Sequence, residues 1–300
     1  MQPFKLGTRG SPLALIQANM VRDALIAAHG VDCEIVVIRT TGDRVQDRAL
    51  AEIGGKALWT KEIDRALLDG EIDAAVHSMK DVETVRPASI AIAAVLPRAD
   101  VRDVIVGAES IAALRQGAVL GTSSPRRAAQ VRRLRPDVQV VLFRGNVDTR
   151  IARLAAGEAD ATLLAAAGLT RLGREVGTAI STEVLLPAPA QGVVGIEARA
   201  DDAHALRLLG VIDCPQTHAC LNAERALLAA LKADCHSPVA ALATIAGAIM
   251  TLRAELLAED GSESVHAQEA GAPGDPALPE AVARDLLDRA PPDVRKLFAA

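Results

Sequence analysis

Aromatic side chains are scarce in this sequence. Its 300 residues include 1 tryptophan, 3 phenylalanines and no tyrosine, so alanine, leucine and valine must fill the interior. This composition is typical of helices packed on parallel sheets, and it leaves few rings for stacking on nucleic-acid bases. The net charge is -5, from 33 basic and 38 acidic side chains, which also argues against general nucleic-acid binding.

Long hydrophobic runs and a disulfide framework are missing as well. The longest weakly apolar run, VAALATIAGAIMTL, is shorter than the roughly 20 residues that span a bilayer, and we interpret it as buried strand. The first residues, MQPFKLGTRGSP, lack the apolar run of a secretory signal. Four widely spaced cysteines, Cys33, Cys214, Cys220 and Cys235, do not resemble a disulfide pattern. We expect a soluble cytoplasmic protein with reduced thiols.

Two segments of the chain show the same order of elements. In the first, strand FKLGT leads to Ser11 as a helix N-cap and to Pro12 at the first helical position, and the helix stops at Gly30. The words LGT, SP and GExDA of this segment recur in the same order in the second, around AVLGTSSPRRAAQ and GEADA. Alternating strands and helices predict two similar α/β lobes with parallel sheets, which bind ligands at the carboxyl ends of strands.

We expect three domains. Lobe one takes residues 1–96 and 195–213, and lobe two takes residues 97–194. Residues 214–300 begin with the amphipathic helix ACLNAERALLAALKAD, followed by strands VAALATIAGAIM and TLRAELLAED. A stretch rich in proline and glycine then precedes one more helix. This part is predicted to be a small α+β domain.

Arginines are concentrated in lobe two, where 28 consecutive residues hold 8 of them against only two aspartates. Arg126 and Arg127 lie in the first turn of a predicted helix, where a cation opposes the helix dipole unless an anion binds. Arg144 and Arg150 follow in FRGNVDTR, and Arg9 lies in the matching loop of lobe one. We expect an anionic ligand with several carboxylates or phosphates, and the forked guanidinium favours planar carboxylates.

Asp81 and Cys235 each allow more than one interpretation. Asp81 follows a buried-looking strand in HSMKD, so it lies at a carboxyl end. It could simply cap a helix beside a solvated Lys80, or serve a cationic step or a ligand N–H group. Cys235, in KADCHSPVAAL, is core filler, a metal ligand or a nucleophile.

Together, these segments resemble the porphobilinogen deaminase (hydroxymethylbilane synthase) family. The words TRGSPLALIQ, GGKALWTKE, HSMKDV, GTSSPRRAAQ, FRGNVDTR, LAAAGLTRLG, PAPAQGVVGIE, NAERALL and CHSP occur in family order over roughly residues 5–240. The resemblance implies two lobes like those of type II periplasmic binding proteins and a third domain with a cysteine loop. It also implies a transferase that adds four porphobilinogen molecules head to tail onto a covalent dipyrromethane cofactor. Ammonia and hydroxymethylbilane are released, in tetrapyrrole and haem biosynthesis.

The site residues follow from the same resemblance. Asp81 would be catalytic, binding pyrrole N–H groups and stabilising the cationic azafulvenium that forms when porphobilinogen loses ammonia. Cys235 would hold the cofactor as a thioether. The other residues expected to bind cofactor are Lys80, Thr122, Ser124, Arg126, Arg127, Arg144 and Arg150, with Ser123 and Gly145 as secondary candidates. Those expected to bind substrate are Arg9, Ser11, Trp59, Arg144, Arg150 and Arg171, and Asp43 is a candidate for loop closure. A monomer without metal, nucleic acid or membrane is expected.

Four residues depart from the pattern of the family. Ala233 and Asp234 stand where two glycines commonly precede the cofactor cysteine, Glu83 where proline is common, and Ala190 where glycine is common. If positions 233 and 234 required positive φ, each non-glycine residue would cost about 1 kcal/mol or more. We therefore expect a different turn before Cys235.

The sequence also allows three alternatives. A solute-binding protein would share two lobes and arginines, but it would normally need an export signal and would not need Cys235. A nucleic-acid binder could use SSPRRAAQVRRLR as a basic helix, against the acidic total charge. A zinc site could combine Cys214, His218, Cys220 and Cys235, although the spacing C-x3-H-x-C is unfamiliar.

Overall fold

The computed structural model describes residues 3–40, 60–234 and 236–298. The chain divides into two compact units, Met1–Ala99 with Gly192–His218 and Asp100–Gln191 with Ala219–Ala300. Among the described helices, none has the length and apolar character needed to cross a bilayer. The expectations for Asp43, Trp59 and Cys235 fall outside the described residues.

The first unit is a five-stranded sheet with helices packed on it. Leu6, Val76 and Ile196 of the sheet pack in one buried cluster with Leu25 and Leu209 of two helices. The elements, numbered in chain order, are β1 (Phe4–Arg9), α1 (Pro12–His29), β2 (Cys33–Ile38), α2 (Lys61–Leu68), β3 (Ala74–Ser78), β4 (Ile90–Val95), β10 (Val194–Arg199) and α6 (Ala203–Gly210). The strand order is β2-β1-β3-β10-β4.

The second unit contains a five-stranded sheet and a three-stranded one. The segment with the larger sheet contains β5 (Asp103–Val106), β6 (Val119–Gly121), α3 (Pro125–Leu134), β7 (Gln139–Val141), α4 (Val147–Ala155), β8 (Ala161–Ala165), α5 (Ala166–Arg171) and β9 (Thr178–Ala179). The segment with the smaller sheet contains α7 (Pro215–Ala230, in this unit from Ala219 on), β11 (Val239–Ala246), β12 (Ile249–Leu257), β13 (Ser264–Gly271), α8 (Ala277–Arg289) and α9 (Pro292–Arg295). The strand orders are β7-β6-β8-β5-β9 and β11-β12-β13. The predicted α/β class, with a small α+β part, is confirmed.

The words repeated in the sequence occupy equivalent positions in the two five-stranded sheets. In the first, the backbone N–H of Lys5 on β1 donates to the carboxylate of Asp73 over 2.8 Å. In the second, the N–H of Val119 on β6 donates to Asp160 over 2.7 Å. Both aspartates belong to the repeated word GExDA. Each directly precedes the strand that pairs parallel with the strand of its hydrogen-bond donor, β3 beside β1 and β8 beside β6. The internal repeat is therefore structural.

One strand of each large sheet runs against the others. β10 pairs antiparallel with β3 and β4, and β5 pairs antiparallel with β8 and β9, whereas β1 with β2 and β3, and β6 with β7 and β8, are parallel. The prediction of parallel sheets is wrong at these two strands. Parallel neighbours are usually joined by a helix that brings the chain back to run in the same direction. β5 and β10 instead directly follow the segments in which the chain passes from one unit to the other.

The three-stranded sheet also differs from prediction. The run VAALATIAGAIM was predicted as one strand, but Gly247 adopts a φ of 61° and turns the chain between β11 and β12. β13 was not predicted, because only Val265 and Ala267 of its residues are buried hydrophobics. A strand with so few buried hydrophobic residues carries little of the hydrophobic alternation on which prediction depends.

Candidate active site

Asp81 lies at the end of a short 3-10 turn, Met79–Asp81, that directly follows β3. Met79, the first residue of this turn, has a buried side chain, and its N–H donates to the carbonyl of Val193 over 3.1 Å. Gly195 leaves room for it, since a Cβ there would lie 2.1 Å from the Met79 sulfur. The Asp81 side chain is exposed, and its carboxylate has no hydrogen-bond partner in the described part of the chain. The structure therefore presents a catalytic candidate, not a helix cap.

A pocket of the first unit brings several predicted residues together. Its walls include Arg9, Ser11, His77 and Asp81. Arg9 ends β1, and the Ser11 hydroxyl caps α1 by accepting from the N–H of Ala14 over 3.3 Å. Lys80, half-buried, belongs to the same turn as Asp81 but not to this pocket wall.

Arg126 and Arg127 are buried in the first turn of α3 of the second unit, where they share one carboxylate. Asp103 accepts from Arg126 over 2.8 Å and from Arg127 over 2.6 Å, and its side chain is fully buried. Burial alone would raise the pKa of Asp103, but the two guanidiniums outweigh it and hold that pKa well below its usual range. Burial lowers the pKa of Arg126, against the attraction of Asp103. Gln191 also donates to Asp103, over 2.9 Å.

The anion that these first-turn arginines require is therefore supplied in part by the protein. Sequence reasoning did not find Asp103, which stands in the stretch VRDVIVG. Arg126 also donates to the carbonyl of Leu186, and Arg127 to that of Leu163. The buried Nε–H group of each arginine meets no acceptor among the described residues. Contact of these two residues with a ligand stays a prediction.

The hydroxyls before α3 are engaged in the turn. The Ser124 hydroxyl caps the helix by accepting from the N–H of Arg127 over 3.4 Å. The Ser124 N–H in turn donates to the hydroxyl of buried Thr122 over 3.2 Å. These residues shape the helix start.

The remaining predicted arginines of the second unit lie at ends of elements. Arg150 donates to the carbonyl of Gly145 over 3.0 Å and to the Ser123 hydroxyl over 3.2 Å. Arg144 is half-buried, and one of its buried terminal N–H groups, Nη1, has no acceptor among the described residues. Arg171 lies in the last turn of α5, where burial lowers its pKa.

The turn before Cys235 is built without glycine. Lys232, not Ala233 or Asp234, has a positive φ, of 52°. Asp234 closes the turn, because its carboxylate accepts from the N–H of His236 over 2.9 Å and its own N–H donates to the Ser237 hydroxyl over 3.1 Å. The residues flanking Cys235 therefore form a side-chain-capped turn.

The described cysteines do not support the alternative of a zinc site. Cys33 and Cys214 are free thiols. His218 faces the carboxylate of Asp213 over 2.9 Å. Within residues 3–40, 60–234 and 236–298, the cluster with metal-ligand spacing involves none of the cysteines.

Family models match most of the chain. The model described as "Porphobilinogen deaminase, dipyromethane cofactor binding domain" matches residues 4–207, and that of the porphobilinogen deaminase C-terminal domain matches residues 218–288. The chain belongs to the porphobilinogen deaminase family. The family predicted from the motifs is confirmed, and with it the transferase activity and the dipyrromethane cofactor.

Curated relatives extend over almost the whole length of the chain. The porphobilinogen deaminase of Sphingopyxis alaskensis is 57% identical and covers 99% of this chain and 97% of its own. That of Paracoccus denitrificans is 50% identical, covering 97% and 96%. Among solved structures, the methionine-binding protein MetQ is 13% identical, covers 70% of this chain and 89% of its own, and has a TM-score of 0.43. A periplasmic substrate-binding protein from Coxiella burnetii is 14% identical, covers 70% and 91%, and has a TM-score of 0.42.

Proposed function

We propose that Asp81 is the catalytic carboxylate of this porphobilinogen deaminase and that Cys235 is the thiol bearing its dipyrromethane. The observation that carries the first assignment is the exposed Asp81 carboxylate, held at the carboxyl end of β3 on a pocket that also contains Arg9 and Ser11. In sheets of this kind, carboxyl ends of strands are where ligands bind. When bound, the dipyrromethane supplies the primer to which porphobilinogen units are added.

Asp81 acts on charge that develops in the substrate. Loss of ammonia from porphobilinogen leaves a cationic azafulvenium, and a carboxylate fixed beside it stabilises that charge. The same oxygens accept hydrogen bonds from pyrrole N–H groups. No cation among the described residues pairs with Asp81, so none of them neutralises its negative charge.

The arginines bind the acetate and propionate groups of the pyrrole rings. In the first unit, Arg9 and Ser11 belong to the Asp81 pocket. In the second, buried N–H groups of Arg126, Arg127 and Arg144 lack a described acceptor, which fits a ligand carrying several carboxylates. Arg150 and Arg171 are proposed to add to this set, together with the side chains of Lys80, Thr122, Ser124 and Trp59.

The proposed domains are residues 1–96 with 195–213, residues 97–194 and residues 214–300. The three sheets support this division, because each has its strands within one proposed domain except for Val194 at the start of β10. A monomer that acts in the cytoplasm on a small molecule, without metal or nucleic acid, is also proposed. The free thiols of Cys33 and Cys214 support a reducing compartment.

Replacement of Asp81 tests the catalytic assignment. Asp81→Ala should lower turnover of porphobilinogen at least about 100-fold, because the developing cation loses its counter-charge. Folding, measured by circular dichroism, should not change, since the side chain is exposed and makes no hydrogen bond or ion pair with the described residues. The control is Asp69→Ala, which removes another carboxylate of the same unit, paired with exposed Arg65 at 3.9 Å, and should keep full turnover. Retained turnover in Asp81→Ala would reject Asp81 as the catalytic group.

A further inference from the structure

A buried ion cluster follows the Asp81 turn in the chain. Its centre is Arg86, whose side chain is 8% exposed. Its Nε–H group donates to Oε1 and its Nη2–H group to Oε2 of Glu197, each over 2.8 Å. Glu197 is a fully buried residue of β10. Nη2 also donates to Asp64 of α2 over 2.6 Å. Arg86 therefore ties the segment after Asp81 to both a strand and a helix.

Glu83 joins the turn to this cluster. One of its carboxylate oxygens accepts from Nη1 of Arg86 over 2.7 Å, and the other accepts from the hydroxyl of Thr60 over 2.7 Å. The chain from Glu83 to Arg86 is thereby closed into a short loop by its own ion pair. A proline, which is common at this position in the family, has no carboxylate and could not form this link.

The electrostatics favour a permanently charged centre. Although burial opposes it, hydrogen bonds and charge from Asp64 and Glu197 raise the pKa of Arg86 above its usual value. Burial by itself raises the pKa of Glu197, but His77 and Arg86 outweigh that effect and lower the pKa to about 2. Burial raises the pKa of Asp64. The spacing of Asp64, His77 and Glu197 would suit a metal ion, yet the guanidinium of Arg86 already provides the cation there.

The cluster and the Asp81 pocket share two residues. Thr60, bonded to Glu83, and His77, whose Nε2 lies 3.3 Å from a Glu197 oxygen, both line the pocket with Asp81. The turn is also tied at its other end, because Met79 donates to Val193 immediately before β10. The segment between Met79 and Arg86 is thus held at both ends near one strand.

We propose that Glu83 and Arg86 are positioning residues, which hold the backbone that carries Asp81 without touching substrate. This inference rests on the proposed role of Asp81. The Asp81 carboxylate makes no hydrogen bond with the described residues, so among them it takes its position from its own backbone, and catalytic groups must be held to within about 0.5 Å. A displacement of about 1 Å can reduce a rate roughly 100-fold. The bonds of Glu83 and Arg86 provide that restraint.

The test uses the cofactor-loaded enzyme and the variant Glu83→Ala. This variant is preferred to a replacement of Arg86, which would leave Glu197 buried and unpaired and could prevent folding. We expect kcat for porphobilinogen to fall roughly 10- to 100-fold, while KM stays within about twofold because the carboxylate-binding arginines are untouched. Glu83→Gln, which keeps an acceptor oxygen, should recover most of the loss. The control Asp69→Ala should change neither constant.

Several outcomes would overturn the inference. A rise in KM with unchanged kcat would do so, and so would loss of the cofactor mass from Glu83→Ala. In a double-mutant cycle, Glu83→Ala should lower kcat by a clearly different factor in an Asp81→Glu background, and the same factor would show independent action. If Asp81→Ala retains turnover, the proposed role of Asp81 fails whatever Glu83 does. If Asp81→Ala abolishes turnover and Glu83→Ala leaves kcat unchanged, only the positioning role fails.

Discussion

Ala190 shows how a single residue is held in a conformation that favours glycine. Its φ is 61°, and it is almost fully buried. Its N–H donates over 2.6 Å to Glu224, whose other oxygen accepts from the N–H of Ala243 over 2.7 Å. The left-handed conformation costs an alanine about 1–2 kcal/mol in free energy. The hydrogen bond to the buried Glu224 carboxylate helps to offset this strain.

Replacing Ala190 with glycine should therefore stabilise the protein. Relief of the strain exceeds the extra entropy that glycine brings to the unfolded chain, and we expect a net gain of up to about 1 kcal/mol in the free energy of unfolding. Thermal or urea unfolding measures it. The control is Ala118→Gly, at a buried position outside the left-handed region, which should lose about 1 kcal/mol. Equal losses in both variants would show that Ala190 is not strained.

At the same scale, the sequence placed several candidate residues but not the partners of others. That Asp81, Arg9 and Ser11 lie at or just after strand ends could be predicted, because each stands within a known pattern of words. Asp103 could not, since nothing in a strand segment shows which distant guanidinium its carboxylate meets. The same holds for the pairing of Glu83 with Arg86.

Strand β5 and helix α3 are joined by Asp103, Arg126 and Arg127. One carboxylate, fully buried, faces two guanidiniums that are themselves buried. Such a group is costly to bury, and it is stable only while each member keeps its partner. We infer that Asp103 fixes both arginines at the start of α3.

Asp103→Asn should destabilise the protein by about 3–5 kcal/mol near neutral pH, because two buried cations lose their carboxylate. The pKa of Asp103 is lower in the folded state than in the unfolded chain, so its contribution is present above about pH 4 and is lost as the pH falls further. Urea unfolding of Asp103→Asn should therefore show a weaker loss of stability below pH 4 than the parent protein shows.

A neighbouring carboxylate provides the matched control. Asp100 pairs with Arg102 over 2.6 Å at the surface, where both side chains are at least one-third exposed. Asp100→Asn should cost at most about 1 kcal/mol. Equal effects of the two replacements would contradict the claim that burial makes Asp103 critical.

Elements with strong local signals could be predicted, and those defined by distant pairing could not. Helix α1 has Ser11, Pro12 and Gly30 at its ends, and these signals are local. The antiparallel direction of β5 and β10 depends on how the chain connects the two units. Parallel sheets were expected because strands alternate with helices in the sequence. The hydrophobic pattern itself carries no information on strand direction, so it could not correct that expectation.

At the scale of the molecule, the predicted residues are distributed over both units. Asp81, Lys80, Arg9 and Ser11 belong to the first, and the other described arginines of the site belong to the second. The repeated words explain this distribution, because each sheet presents strand ends and a capped helix start with the same geometry. The repeat in the sequence was thus the strongest guide to the architecture.

The mass of the intact protein tests the central claim most directly. The purified enzyme should be heavier than its sequence by one dipyrromethane, because we propose that the thiol of Cys235 holds the cofactor in a thioether. Cys235→Ser should lack this excess, whereas Cys214→Ser, at another free thiol, should keep it. An active enzyme with the mass of the bare chain, or an excess that survives in Cys235→Ser, would contradict the account.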